Sequence, residues 1–107
     1  MTTQFIRELD GITAVYEAEE RTVERVFCCD LLSVAMARAP ENSAWVTVMT
    51  NANVVAVASL ADVACVVLAE GYHYDDAAVE AAKKGHITLL CSSLPVYETA
   101  VQIGGAL

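Results

Sequence analysis

Basic residues are scarce in this chain. Six Lys and Arg stand against 14 Asp and Glu in 107 residues, a formal charge of −8. Nucleic-acid phosphates and anionic membrane surfaces both require a basic stripe, so neither is an expected partner. Solubility is the first consequence of such a charge. A glycine-rich loop of the form G-x-x-x-x-G-K-[ST] is also missing, which removes P-loop phosphate chemistry. The four cysteines, Cys28, Cys29, Cys65 and Cys91, form no C-x-x-C pair and show no metal-ligand spacing. Cys65 and Cys91 fall in or beside apolar runs, where a thiol packs as a small hydrophobe.

Catalytic constellations are equally scarce. His73 and His86 stand alone in loop-like surroundings, so no metal site is expected and no cofactor is implied. Ser33 and Ser59 fall within helical stretches rather than on a nucleophile elbow. An adjacent Asp30 raises the pKa of a thiol at Cys28 or Cys29 instead of activating it. No Ser/His/Asp set or carboxylate pair can be assembled, and a non-enzymatic role is the expectation. Met1–Asp10 contains no basic region followed by an apolar run, so no signal peptide is expected and the cytoplasm is the expected setting. The longest apolar stretch, Val54–Ala69, is interrupted by Asp62 and divides into a helix-like and a strand-like piece, unlike a membrane span.

What is present is apolar residues, 56% of the chain, enough for one folded core and too few residues for two. A single domain over 1–107 follows. Alternation and β-branched content predict strands at Thr13–Tyr16, Thr22–Cys28, Trp45–Thr50, Cys65–Leu68 and Ile87–Cys91. Between them, Asp30 is placed to cap a helix over Leu31–Ala39 that Pro40 stops, and Glu17–Arg21 reads as a charged, solvated connection. Asn51 and Asn53 are both candidate caps for a helix over Val54–Ala64. Asp75 or Asp76 opens a helix to Lys84 with Gly85 in the C′ role. Ser92 or Ser93 is placed to cap a final helix that holds Pro95 in its first turn and ends at Gly104–Gly105. The resulting order is that of an α/β domain, three-layer-like, with a mostly parallel sheet of four to five strands and crossover helices.

The helix at Val54–Ala64 reads VVAVASLADVA, with Ser59 and Asp62 its only polar interruptions. A surface helix of a monomer needs a polar face. Leu31, Leu32, Val34, Ala35 and Met36 make the preceding helix almost as apolar. One sheet is not expected to cover both, which predicts a homodimer joined through the Asn53–Ala64 helix.

Val26–Gly71, with its Asp30-Leu31-Leu32-Ser33 step, Trp45-Val46-Thr47 strand and Asn53-Val54-Val55-Ala56-Val57-Ala58 helix start, resembles the DRTGG domain family. The Gly85–Ser93 segment and Tyr97-Glu98 extend that resemblance over most of the chain, although the Asp-Arg-Thr-Gly-Gly string itself is not present. The resemblance implies a small dimeric α/β module of regulatory, adenine-nucleotide-linked character. Such modules occur alone or beside CBS domains in regulated pyrophosphatases. Stand-alone copies resemble accessory proteins of hydrogenase-type redox enzymes and sensor kinases. Family members often carry His in the stretch that here reads Thr50-Asn51-Ala52-Asn53.

In an open parallel sheet, ligands bind beyond the carboxyl ends of the strands, beside helix N-termini. Asp30, Thr50, Asn51, Asn53, Glu70, Ser92 and Ser93 all fall at such ends and are suited to hydrogen bonding. Asp30, Thr50, Asn51, Asn53, Ser92 and Ser93 are the candidate ligand-binding residues. One cap suffices for one helix, so Asn51 with Asn53 is the pair with most to spare. The loop Gly71-Tyr72-His73-Tyr74-Asp75-Asp76 is a second surface suited to gripping a partner. Two roles are compatible with this pattern. One is a homodimeric module sensing a nucleotide or small metabolite. The other is an accessory protein that docks onto a redox enzyme or sensor kinase.

Overall fold

Runs of apolar residues four or five long, too short for helices and bounded by turn formers, become the strands of a buried sheet. In the computed structural model, which describes residues 1–107, the elements follow in order. They are α1 (Thr3–Arg7), β1 (Ile12–Tyr16), β2 (Arg25–Cys28), α2 (Leu32–Arg38), β3 (Ser43–Thr47), α3 (Ala52–Ala61), β4 (Cys65–Leu68), α4 (Asp76–Gly85), β5 (Thr88–Ser92) and α5 (Val96–Gly104). The strands form one sheet in the order β1-β5-β4-β3-β2. β2, β3, β4 and β5 are parallel, while β1 lies antiparallel on the β5 edge with an irregularity between Ala14 and Tyr16. The expected α/β architecture with a mostly parallel sheet is the one observed.

Because the parallel strands run in steady order from β2 to β5, right-handed crossovers place α2, α3 and α4 on the same face. One core cluster records this, joining Ala35 of α2, Val54, Val55, Val57 and Ala58 of α3, and Ala78 and Ala82 of α4 to Trp45, Val66 and Leu89 of the sheet. The alternate strand residues Ala44, Val46, Cys65, Val67 and Leu90 point the other way. They form a second cluster with Ile6 of α1 and Ile103 of α5. Burial of the Cys65 thiol pushes its pKa up to about 12 against the opposing pull of Arg21, so it is a core hydrophobe rather than a nucleophile.

This layout changes the meaning of the apolar third helix. α3 lies in the middle of its layer and packs against α2 and α4 as well as the sheet. Its apolar circumference is therefore largely covered within the chain, and only Asn53, Ala56, Ser59 and Leu60 are exposed. The edge helix α2 is the barer one. Ala35 alone is buried there, while Leu31 and Met36 are 59% and 56% exposed. The premise that one sheet cannot cover both helices holds for α2 and fails for α3.

Other boundaries move for local reasons. Thr3–Arg7 forms a helix that the sequence pattern did not indicate, opened by Thr2, whose hydroxyl accepts the Phe5 N–H. Asp30 does not cap α2. Its carboxylate instead accepts from the Thr47 hydroxyl at 2.8 Å and the Val48 N–H at 2.9 Å, fastening the end of β2 to that of β3. At the end of α4 the left-handed residue is His86, at φ 57°, and not Gly85. The connection Glu17–Arg21, expected to be solvated, is anchored at Arg21. Its guanidinium donates to Asp62 Oδ1, the carbonyls of Asp62 and Val63, and Asn42 Oδ1 at 2.6–3.1 Å. Asn42 and Asp62 both have positive φ, which turns their acceptors toward this one cation.

Replacing Arg21 strands several acceptors at once. Arg21→Met is expected to lower unfolding free energy by about 2 kcal/mol, since a hydrogen bond to a charged group contributes roughly 1.5–3 kcal/mol net and this guanidinium is partly solvated. Arg38→Met, at the exposed end of α2, should stay within about 0.5 kcal/mol in the same urea titration.

Candidate functional site

The direction of winding changes after β5. β4 leads into α4 on one face of the sheet, while β5 leads into α5 on the other. Connections that part to opposite faces leave a crevice beyond the strand ends between them, the usual place for a ligand in an open α/β sheet. A cleft of about 350 Å³ lies there, lined by Gly11, Ile12, Thr13, Gly71, Tyr72, His73, Cys91, Ser92 and Ser93. It falls at the small end of the roughly 300–1,000 Å³ range of ligand clefts.

Backbone hydrogen bonds hold the three lining segments together. Gly71 N–H donates to the Ser92 carbonyl at 3.0 Å, Ser93 N–H to the Gly11 carbonyl at 2.9 Å, and Glu70 N–H to the Leu94 carbonyl at 2.9 Å. Glu70 and Gly71 are both left-handed, at φ 65° and 72°, a pairing that turns the chain back toward β5. The Glu70 carboxylate then accepts the Val96 N–H at 2.7 Å and so caps α5 from a distant part of the chain. Neither Ser92 nor Ser93 performs that capping. The Ser92 hydroxyl pairs with Thr99 at 2.8 Å and accepts from Leu94 N–H at 3.1 Å.

The far end of the loop is fastened too. Tyr74 is half-buried with its hydroxyl turned inward, where it donates to the carbonyls of Leu90 at 2.8 Å and Val66 at 3.2 Å. Burial first, with Cys91 and Cys65 adding to it, raises its pKa well above the ordinary phenol value, so it stays a donor. Asp75 N–H donates to the Thr50 carbonyl at 3.0 Å. Between these anchors Tyr72 and His73 project outward, Tyr72 with 53% of its surface exposed. Burial also raises the pKa of the Cys91 thiol, which points toward the Tyr72 carbonyl at 3.8 Å.

The candidate residues therefore do not form one constellation. Ser92 and Ser93 line the cleft, whereas Asp30, Thr50, Asn51 and Asn53 lie at the ends of β2 and β3, away from it. Asp30 is engaged as described, the Thr50 hydroxyl lies 3.2 Å from Asp75 Oδ1, and the Asn51 side chain caps α3 through Asn53 N–H at 3.0 Å. The Asn53 side chain is exposed. Gly11–Thr13 are not recognisable as site residues from the sequence, because their place beside β5 depends on an antiparallel pairing between distant segments. Gly11, alone before the first strand, was the available signal. Cys28 is exposed at the end of β2 with a pKa raised by partial burial and by Asp30, so it is no nucleophile. No group of three His, Cys, Asp or Glu residues is arranged to hold a metal ion, and no helix is long and apolar enough to cross a membrane.

No protein-family model matches the chain. No curated protein matches it either. Among solved structures it is similar to the CBS and DRTGG domains of the regulatory region of Clostridium perfringens pyrophosphatase, determined with the activator diadenosine tetraphosphate. That likeness has a TM-score of 0.80 at 17% identity, over 98% of this chain and 46% of the other. The chain thus spans about half the length of that structure. The fold is DRTGG-like, as the resemblance in the sequence implied.

Two glycines of the cleft make a paired test. A Cβ at Gly71 meets nothing within 4 Å, so Gly71→Ala carries only the left-handed penalty of about 1–2 kcal/mol. A Cβ at Gly11 falls 3.0 Å from Ser93 Oγ and 3.5 Å from Leu94 Cγ, in addition to φ 81°. Gly11→Ala should be the more destabilising of the two by urea unfolding.

Proposed function

We propose that this chain is a regulatory, ligand-sensing module that binds a nucleotide or small metabolite in the cleft between Gly11–Thr13, Gly71–His73 and Cys91–Ser93. The observation that carries this reading is the position of the cleft. It lies beyond the carboxyl ends of β4 and β5 where the connections diverge, on three segments whose backbones are tied to one another. The fold likeness to a pyrophosphatase regulatory region that was solved with a dinucleotide activator supports a sensing role over a catalytic one. Tyr72, His73 and Ser93 supply a ring and two polar groups. Of the six strand-end residues expected to bind a ligand, the reading rests on Ser92 and Ser93. Asp30 and Asn51 spend side-chain acceptors inside the fold, the Thr50 hydroxyl donates to Asp75, and Asn53 stands apart from the cleft.

A thermal-shift series with AMP, ATP, adenosine and diadenosine tetraphosphate tests the reading. At 100-fold excess over Kd a bound ligand adds about 2.7 kcal/mol, a rise of roughly 10 °C for a domain of this size. The rise should disappear in His73→Ala with Ser93→Ala and persist in Asn53→Ala. Loss in Asn53→Ala alone would move the site to the N-terminus of α3.

The same reading includes a homodimer. Leu60 of α3 is 75% exposed, and Val34 and Met36 of α2, with Leu31 just before it, are exposed in the same layer. Residues this apolar favour contact with a second copy. The contact is then made by the outer faces of α2 and α3 together, and the Asn53–Ala64 segment contributes Ala56 and Leu60. Light scattering at micromolar concentration should give twice the 11.4 kDa chain mass. Leu60→Asp with Met36→Asp should give the monomer, and a monomeric wild type would remove the dimer from this reading.

A further inference from the structure

The ends of this sheet carry different chemistry. In a parallel sheet with helical crossovers, each strand and the helix after it run in opposite directions. Helix C-termini therefore gather at the end where the strands begin. Arg38 closes α2, and Lys83 and Lys84 lie in the last turn of α4. Arg25 begins β2, and Arg21 binds Asn42 and Asp62–Val63 just before β3 and β4. Arg7 pairs with Glu17 in a small hollow that includes Thr88, the first residue of β5. All six basic residues of the chain thus lie at the end where the parallel strands begin.

The end that holds the cleft has none. Asp10, Asp30, Glu70, Asp75, Asp76 and Glu98 all lie there, at the start of β1, after β2 and β4, and at the starts of α4 and α5. The one helix dipole beside the cleft that would attract an anion is occupied, because the Glu70 carboxylate sits on the Val96 N–H at 2.7 Å. Nothing in the lining is a Lys or Arg. What the lining offers is the exposed ring of Tyr72, the His73 imidazole, the hydroxyls of Thr13 and Ser93, and the apolar surface of Ile12 and Cys91. The Ser92 hydroxyl is already committed to Thr99 and Leu94.

From this juxtaposition the structure assigns the cleft to an uncharged, planar heteroaromatic group, the base or nucleoside end of a ligand, with any phosphate excluded from it. This inference rests on the cleft being a ligand site, as proposed above. A stacked ring uses Tyr72, ring nitrogens and hydroxyls use His73, Thr13 and Ser93, and the small volume suits one ring system with its sugar. A phosphate there would meet no Lys or Arg in the lining and would lie at the end of the sheet that carries six carboxylates and no basic residue. The acidic end accordingly selects against the anionic form of the same ligand.

Calorimetric titration of the whole chain with adenosine, AMP and ATP, in magnesium-free buffer at about 10 mM and about 100 mM salt, tests this. Adenosine should bind most tightly, AMP at least about fivefold more weakly, and ATP more weakly again. Raising salt should tighten AMP and ATP by screening repulsion and leave adenosine unchanged, and Tyr72→Ala should abolish adenosine binding. Affinity that rises with phosphate number, or that weakens with salt for AMP, overturns the inference and leaves the cleft as an anion-binding site. Failure of all three compounds to bind overturns both this inference and the ligand-sensing reading beneath it.

Discussion

The join between the two halves of the strand-end surface turns on one charged contact, the hydrogen bond from Val96 N–H to the Glu70 carboxylate. The chain leaves β4 for one face of the sheet and leaves β5 for the other, so at this point nothing in the local sequence would keep the two connections together. Two consecutive left-handed residues, Glu70 and Gly71, turn the first connection back, and their amides donate to Leu94 and Ser92 in the second. The carboxylate completes the join by capping the helix that carries Ile103 into the second core cluster. The cleft is the gap that remains around a junction held at one side. Its rim is built from backbone, which is why its shape does not depend on the residues that face a ligand.

The junction also decides the electrostatics. A helix N-terminus with free amides would attract phosphate, and an internal carboxylate takes that role here. The remaining charges sort by the geometry of the fold. Crossover helices favour Asp at their starts and Lys or Arg at their ends, and in a parallel sheet all those ends lie together. The −8 charge of the chain is therefore not spread evenly, and the surface around the cleft is acidic without relief. Affinity in such a site comes from ring contact and neutral hydrogen bonds. Selectivity comes from the carboxylates around it.

Much of the fold was legible in the amino-acid pattern because it rests on local signals. Cys65–Leu68 is a strand with the predicted bounds, and Asn51 caps the helix it was expected to cap. The apolar α3 is a helix, as its residues predict. Its surroundings were not readable, because strand order is a matter of pairing between distant segments and decides whether a helix is central or at an edge. The same limit applies to the site. Ser92 and Ser93 were visible as strand-end hydroxyls, whereas Gly11–Thr13 reach the cleft only through the antiparallel pairing of β1 with β5. Asp30 shows a further reason for error. An Asp before a helix can cap it, yet two donors at the end of β3 offer it more than one amide of α2 could. Long-range competition for a carboxylate leaves no mark on the residues next to it. Glu70, which caps a helix 26 residues away, shows this most plainly.

The central claim is that the strand ends at β4 and β5, and not those at β2 and β3, form the ligand site. Amide chemical-shift mapping of the isotopically labelled chain during titration with adenosine tests that claim most directly. The account predicts that the largest changes fall on Gly11, Thr13, Gly71, Tyr72, His73 and Ser93, with Asp30, Asn51 and Asn53 unmoved. Changes concentrated at Asp30 and Thr50–Asn53, or none anywhere at saturating ligand, would contradict it.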